Sequence, residues 1–371
     1  MKNQSNFHNE TGKNVFFLCN NFVFYLLILK FDFQIYSNDM ENLSFRALIV
    51  EEYEPNKFRR YLGTKRIFEL PEGNVLIKVL YSSLNYKDAL SARGHKGITR
   101  NYPHTPGVDA SGVVVESKSS KFKPGDEVVV TGYDLGMNTS GGFGQYIRVP
   151  DDWVVPLPKN LTLFESMVYG TAGFTAGLCV FEIQRKGIEP GDGKVLVTGA
   201  TGGVGSLAIA ILSKIGYHVV ASTSKLEMKE FLLSLGAKEV IHRSEVYDTS
   251  GKPLLKRQWS AVVDNVGGIT LSTAIRSTDY DGVVACVGLV ESEKLNLTVY
   301  PFILRGVTLA GIDSAETKMD KRLRIWELLS SDWKINLNKI YREVTLEQLD
   351  AEIEKILSGH QVGRVVVNLW K

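Results

Sequence analysis

Nine residues, "VTGATGGVG" at positions 197–205, constrain this chain more than any other stretch. They hold four glycines, follow the apolar run "KVLV" directly, and lead into "GVGSLAIAILSKIG", whose apolar spacing is helical. Strand, glycine-rich turn and helix in that order form the phosphate-binding entry of a βαβ unit. Gly199 is free to turn tightly, Gly202 and Gly203 let backbone N–H groups approach a pyrophosphate, and Gly205 permits close helix–sheet packing. The helix then aims the positive end of its dipole at the phosphates. The stretch predicts a dinucleotide site.

The surroundings support a two-part chain. From about residue 165, strands ("YHVVAST", "KEVI", "SAVVDNVG", "GVVACVG") alternate with helical segments ("KLEMKEFLLSLGA", "GITLSTAIRST"). That rhythm predicts a doubly wound parallel sheet. Residues 45–150 instead carry short β-type runs such as "FRALIVEEY", "NVLIKVLYSS" and "DEVVVTGY", parted by turn signals such as "KPGD" and "SGGFG". These predict a compact, largely antiparallel barrel. After residue 305 come "GVTLAGID", an amphipathic helix around "KRLRIWELLSSD" and a final strand "GRVVVNLW". A length of 371 residues suits two domains.

Composition removes several functions. Net charge is +2 and no basic run is interleaved with aromatics, which argues against nucleic acid as a partner. Three scattered cysteines, with no CxxC pair, suit a reducing cytoplasm. Residues 1–39 read apart from the rest. Their longest unbroken apolar run, residues 22–29, is too short to span a bilayer, and no cleavage site of the signal-peptide kind follows. The segment is expected to be an extension outside the core, from upstream translation, with Met40 as the start; a membrane anchor is the alternative.

The choice of dinucleotide depends on the end of the second parallel strand, about 20 residues past the loop. An acidic residue there would hold the ribose 2′-hydroxyl of NAD. This chain has "ASTSK", so Ser222, Thr223, Ser224 and Lys225 stand where a 2′-phosphate would lie, and Arg243 follows the third strand. NADPH is the expected cofactor. In the barrel, "SLNYKDALSARG" puts Asn85, Tyr86 and Asp88 on a segment expected to face the cleft. Asn85 and Tyr86 are the catalytic candidates, Tyr86 as a proton or hydrogen-bond donor. Asp88 reads better as a helix-capping or loop-pinning carboxylate.

Five separated motifs, "NYKDAL", "PGVDASGVV", "GTAGFTAG", "VTGATGGVG" and "PFILRGVTLAGIDS", together resemble the zinc-free quinone-oxidoreductase side of the medium-chain dehydrogenase/reductase superfamily. The resemblance is nearer still to its acryloyl-CoA reductase branch and runs from Met40 to the end. It implies a GroES-like catalytic domain, residues 40–165 and 305–371, split around a Rossmann domain, residues 166–304. It also implies cofactor contacts from Tyr86, Thr201, Gly202, Gly203, Val204, Ser222, Thr223, Ser224, Arg243, Leu289, Ile303 and Ser314, and a homodimer formed along the edge of the parallel sheet. Where zinc-dependent relatives place a ligand histidine this chain has Pro106, and no cysteine occurs between residues 20 and 178, so no metal is expected. No GxSxG elbow supports hydrolase chemistry.

The expected activity is NADPH-dependent reduction of the C=C bond of an α,β-unsaturated acyl-CoA, acryloyl-CoA to propanoyl-CoA first. The alternatives are an NADPH:quinone oxidoreductase and a non-catalytic NADPH-binding protein. Lys96, Arg100, Arg305 and Arg364 are basic residues that would meet the phosphates of CoA.

Overall fold

The computed structural model describes residues 40–371; residues 1–39, with Cys19 and the expected extension, lie outside the described residues. The chain divides into two units. The smaller, residues 40–45 with 64–70, buries Phe45, Ile67 and Leu70 and joins the backbone N–H of Ile67 to the carbonyl of Leu43. The larger unit, residues 46–63 and 71–371, holds both main sheets.

The six-stranded sheet is parallel throughout. Its order in space is Glu239–His242, His218–Thr223, Lys194–Val197, Trp259–Asp264, Thr278–Cys286 and Thr308–Gly311. Numbered along the chain this is 3-2-1-4-5-6, the doubly wound order whose ligand crevice opens where the order reverses, between Lys194–Val197 and Trp259–Asp264. Strand four, "WSAVVD", is buried along its whole length, as a strand covered on both faces must be. The helix Gly203–Lys214 follows the glycine-rich loop as the periodicity requires.

The sixth strand, Thr308–Gly311, changes the expected division. It pairs in parallel with Thr278–Cys286, and helix Met319–Ser330 places Ile325, Trp326 and Leu329 in the same apolar core as the parallel strands. The parallel-sheet part therefore continues past residue 304. Its apolar face on strand and helix had to be covered by something, and these later residues cover it.

The seven-stranded sheet runs Tyr341–Thr345, Arg364–Asn368, Val75–Ser83, Asp109–Ser117, Glu127–Thr131 and Val154–Pro156, with Tyr146–Val149 also on Val75–Ser83. Every pair but the first is antiparallel, which gives the expected barrel-like layer. Strands Ser44–Glu54 and Lys57–Arg66 form a separate two-stranded sheet.

Sequence periodicity gave no sign of the long helix Leu163–Arg185. It is apolar on all sides because it is core, and it is the one helix among the described residues long and apolar enough to cross a membrane. It breaks at Gly170, with φ of 49° and ψ of −155°. Only glycine adopts that conformation without strain. The break starts a second helix at Thr171, whose free N–H needs an acceptor.

Candidate active site

Asp109 is that acceptor. It sits at the start of its strand, fully buried, and both its carboxylate oxygens accept from the Thr171 N–H at 3.0 Å. Thr171 Oγ1 donates to Oδ1 at 2.6 Å, while Ser83 Oγ and Asn85 Nδ2 donate to Oδ2 at 2.6 and 2.7 Å. A Cβ on Gly170 would lie 2.5 Å from Asp109 Oδ2, so the glycine also makes room for the carboxylate.

Arg364, on the strand beside Val75–Ser83, supplies the matching charge. Its side chain is buried, with Nη2 donating to Ser83 Oγ at 2.7 Å and standing 3.6 Å from Asp109 Oδ2. Nη1 donates to Leu84 O and to Asn85 Oδ1 at 3.2 and 3.1 Å, and Nε donates to Val168 O at 3.0 Å. Ser83 thus relays between guanidinium and carboxylate, accepting from one and donating to the other.

Asn85 is consumed by this network. Its amide hydrogens go to Asp109, Asp88 and the Ser83 carbonyl, and its oxygen receives Arg364. The catalytic candidate thus anchors the start of helix Tyr86–Ala92: both its amide hydrogens are committed, while its oxygen keeps one lone pair beyond the one that receives Arg364. Asp88 caps the same helix, as expected, accepting from the Asn85 N–H at 2.8 Å and from the Val108 N–H at 2.8 Å. Burial, with Asp109 beside it, pushes the Asp88 carboxyl up to about 7. Tyr86, the next residue, is exposed and its hydroxyl makes no hydrogen bond.

The glycine-rich loop lies against the network. Gly199 has φ of 59°, and a Cβ on Gly205 would come within 2.5 Å of the Gly199 carbonyl, so the tight turn and the close helix packing are both present. Gly203 has a second reason to be glycine. A Cβ there would stand 3.1 Å from Arg364 Nη1. One guanidinium therefore reaches the start of the barrel helix, through Asn85, and the first helical residue of the loop. The Gly363 N–H donates to the Thr201 carbonyl at 2.9 Å and ties the C-terminal strand to the same loop.

At the crevice itself Thr198 Oγ1 donates to Asp264 Oδ1 at 2.7 Å, and Asn265 Nδ2 donates to Thr198 O at 2.8 Å. Burial pushes the Asp264 carboxyl up to about 6. Asn265 Oδ1 is buried with no donor, a costly state that a ligand hydroxyl or amide would relieve. At the end of the second strand Ser222 and Thr223 are buried and Ser224 is exposed. Lys225 is half-buried, its Nζ held by the Gln361 carbonyl at 2.9 Å with further donors to spare. Arg243 is exposed beyond the third strand and makes no ion pair. Basic and hydroxyl groups with no carboxylate among them fit a 2′-phosphate.

Other candidates are scattered around this centre. Val204 and Ser314 are half-buried, and Leu289 and Ile303 are 66% and 68% exposed. Two of the four basic residues expected to meet CoA are elsewhere employed. Arg364 is buried in the network above, and Arg305 donates to the carbonyls of Arg276, Thr278 and Leu255. Lys96 pairs with Glu52, and Arg100 is exposed.

Asp109, Thr171 and Asn265 are not site candidates by sequence alone, and Arg364 is one only as a contact for CoA phosphate. The stretches "PGVDASGVV", "GTAGFTAG" and "DNVG" contain Asp109, Thr171 and Asn265, without marking them as a site. Among the described residues no three His, Cys, Asp or Glu side chains gather as metal ligands, and His104 Nε2 meets the Gly136 carbonyl at 2.9 Å.

Similar proteins agree with this layout. A family profile described as a zinc-binding dehydrogenase matches residues 203–330, and one described as an alcohol dehydrogenase GroES-like domain matches residues 71–159. A Bacillus subtilis protein, named provisionally as quinone oxidoreductase YhfP, is 50% identical over 81% of this chain and 92% of its own. Its crystal structure with NAD bound has a TM-score of 0.86 at 48% identity, covering 88% of this chain and 100% of that one. The acrylyl-CoA reductase AcuI of Ruegeria pomeroyi is 43% identical over 88% of this chain and 99% of its own. The yhdH oxidoreductase of Salmonella enterica, crystallised with NADP, has a TM-score of 0.85 at 39% identity, covering 87% and 99% of the two chains.

Proposed function

The chain belongs to the medium-chain dehydrogenase/reductase superfamily, and from that premise we propose that it is an NADPH-dependent reductase of an α,β-unsaturated acyl-CoA, acryloyl-CoA first. The observation that carries the reading is the single guanidinium of Arg364 between Asn85 and Gly203. It links the start of helix Tyr86–Ala92 to the glycine-rich loop and so supports Tyr86, next to Asn85, as a side chain on the cofactor's side of the barrel.

NADPH, when bound, supplies the hydride for the β-carbon of the conjugated thioester. Gly202, Gly203 and Val204 hold the pyrophosphate through backbone N–H groups at a helix start. Ser222, Thr223, Ser224, Lys225 and Arg243 would hold the 2′-phosphate, and Asn265 Oδ1 would accept from a donor of the cofactor. Tyr86 donates a hydrogen bond to the thioester oxygen, where negative charge develops, and so stabilises the transition state more than the ground state. Asn85, Asp88 and Asp109 hold the first turn of its helix still. No metal-ligand cluster occurs among the described residues, and such donors would supply the polarisation. We assign the protein to the cytoplasm and to a homodimer built on the edge strand Thr308–Gly311 and the helix Tyr300–Arg305 before it, where Val299, Tyr300, Ile303 and Leu304 are exposed. Sedimentation at micromolar concentration checks the dimer.

A second reading has its own support. The 50% identical relative carries a quinone-oxidoreductase name and its structure holds NAD. The two readings part in one assay: oxidation of NADPH and of NADH with acryloyl-CoA, crotonyl-CoA and simple quinones. A far higher kcat/KM for acryloyl-CoA with NADPH is expected. Quinone turnover at or above that level overturns the thioester reading.

A further inference from the structure

Among the described residues Arg322 is as deeply buried as Arg364, and it makes no ion pair. It rises from helix Met319–Ser330 with 0% exposure. Nη1 donates to Thr131 O and Thr131 Oγ1 at 2.7 and 3.0 Å, and Nη2 donates to Ser314 O and Ala315 O at 3.2 and 2.9 Å. All four acceptors are neutral, and Nε is buried without any. The guanidinium lies 4.3 Å from the ring centre of Tyr133 and 4.8 Å from that of Phe174. A buried charge held this way is costly, and an apolar side chain of similar size would often be at least as stable. Stability alone does not account for it.

Its acceptors belong to two segments, one leaving the parallel sheet and one leaving the barrel. Ser314 and Ala315 follow Thr308–Gly311, the sixth parallel strand, at the carboxyl end where open α/β sheets bind their ligands. In the order 3-2-1-4-5-6 the second strand carries the adenosine half of a dinucleotide, so the side of strands four to six serves the nicotinamide half. Thr131 ends the barrel strand Glu127–Thr131, and Tyr133 lies two residues beyond it. The segments also touch directly: the Tyr133 N–H donates to the Ala315 carbonyl at 3.0 Å, and a Cβ on Gly132 would meet Ala315 Cα at 3.0 Å. Tyr133 itself is in the left-handed region, φ 52°, a strained state that persists only where its surroundings enforce it.

We propose that Arg322 is a positioning residue for hydride transfer, a clamp that sets the spacing of barrel and parallel sheet at the nicotinamide end of the crevice. It acts through Ser314, Ala315 and Thr131 and touches neither cofactor nor substrate. The proposal rests on the reading of the crevice as an NADPH site. A lysine at this position keeps the charge but cannot span the two segments with a planar fork.

The test compares two ligands on one variant. Calorimetric Kd values are measured for NADPH and for 2′,5′-ADP, which has the phosphorylated adenosine but no nicotinamide, on wild type and Arg322→Lys. The clamp predicts that NADPH binding weakens by about tenfold and kcat falls, while 2′,5′-ADP binding is unchanged. Equal weakening of both ligands, the mark of a general structural role, overturns it, as does unchanged NADPH binding. Should Arg322→Lys not fold, Thr131→Val removes one acceptor only, and a selective loss for NADPH of about threefold is expected, with no loss again overturning the clamp. Failure of the wild type to bind NADPH at all overturns the reading of the site itself, a result separate from any behaviour of the variants.

Discussion

Replacing Asp109 with asparagine tests the buried network most directly. The substitution keeps the shape and leaves an oxygen for the Thr171 N–H, but it removes the charge 3.6 Å from Arg364 Nη2. Arg364 is then a fully buried cation with neutral partners only. Removing one member of a buried ion pair costs about 3–5 kcal/mol. At about 2 cal/mol/K of unfolding entropy per residue across residues 40–371, that lowers Tm by about 4–7 °C. The measurement is thermal and urea unfolding by circular dichroism on Asp109→Asn, Arg364→Met and the double variant. Arg364→Met alone strands the carboxylate, whereas the double variant strands no charge, although the acceptors of Arg364, Val168 O and Leu84 O among them, lose their donor in both. The double variant should therefore be more stable than the sum of the single losses predicts, by about 1–3 kcal/mol. Additive losses, or a loss under about 1 kcal/mol for Asp109→Asn, would refute the claim that these charges hold each other across Ser83.

The remaining predictions concern pH, cofactor and catalysis. Asp88, pushed up to about 7 by burial and by Asp109, binds its proton more tightly folded than unfolded. Its contribution to stability is whole below about pH 4 and is lost as the pH rises to about 7, so the stability difference between wild type and Asp88→Asn should move in favour of the variant across that window. Chemical denaturation at several pH values checks it, and a flat difference counts against the burial argument. Lys225→Ala should raise the KM for NADPH by about tenfold, the worth of one charged hydrogen bond, and leave that for NADH little changed. Steady-state kinetics with both cofactors decide it, and a preference of the wild type for NADH would overturn the assignment. Tyr86→Phe should lower kcat by about tenfold or more with a smaller rise in KM, because its hydroxyl acts on charge that develops in the transition state. A change in KM alone would make Tyr86 a binding residue.

Much of this protein is legible in local pattern. The turn at Gly199, the helix over 203–214 and the strand-helix alternation are written in spacings of a few residues, because backbone conformation and periodic burial are short-range matters. The same holds for Asp88 as a cap, three residues from the N–H it accepts. The absence of an acid from "ASTSK" is likewise a statement about one strand end.

The chemistry of the crevice was decided only in three dimensions. Arg364 reads from sequence as a basic residue on a terminal strand, but its partners Val168 and Ser83 are 196 and 281 positions away. Asn85 reads as a free amide near a tyrosine, and only the convergence of Arg364, Asp88 and Asp109 on it shows that its amide hydrogens are already committed. Gly203 reads as a cradle for phosphate, and its space is shared with a guanidinium from the far end of the chain. The parallel sheet passed its expected limit at residue 304 for the same kind of reason. An edge strand and an amphipathic helix take the side of whatever apolar face they cover, and periodicity tells that a face is apolar without telling which core it joins.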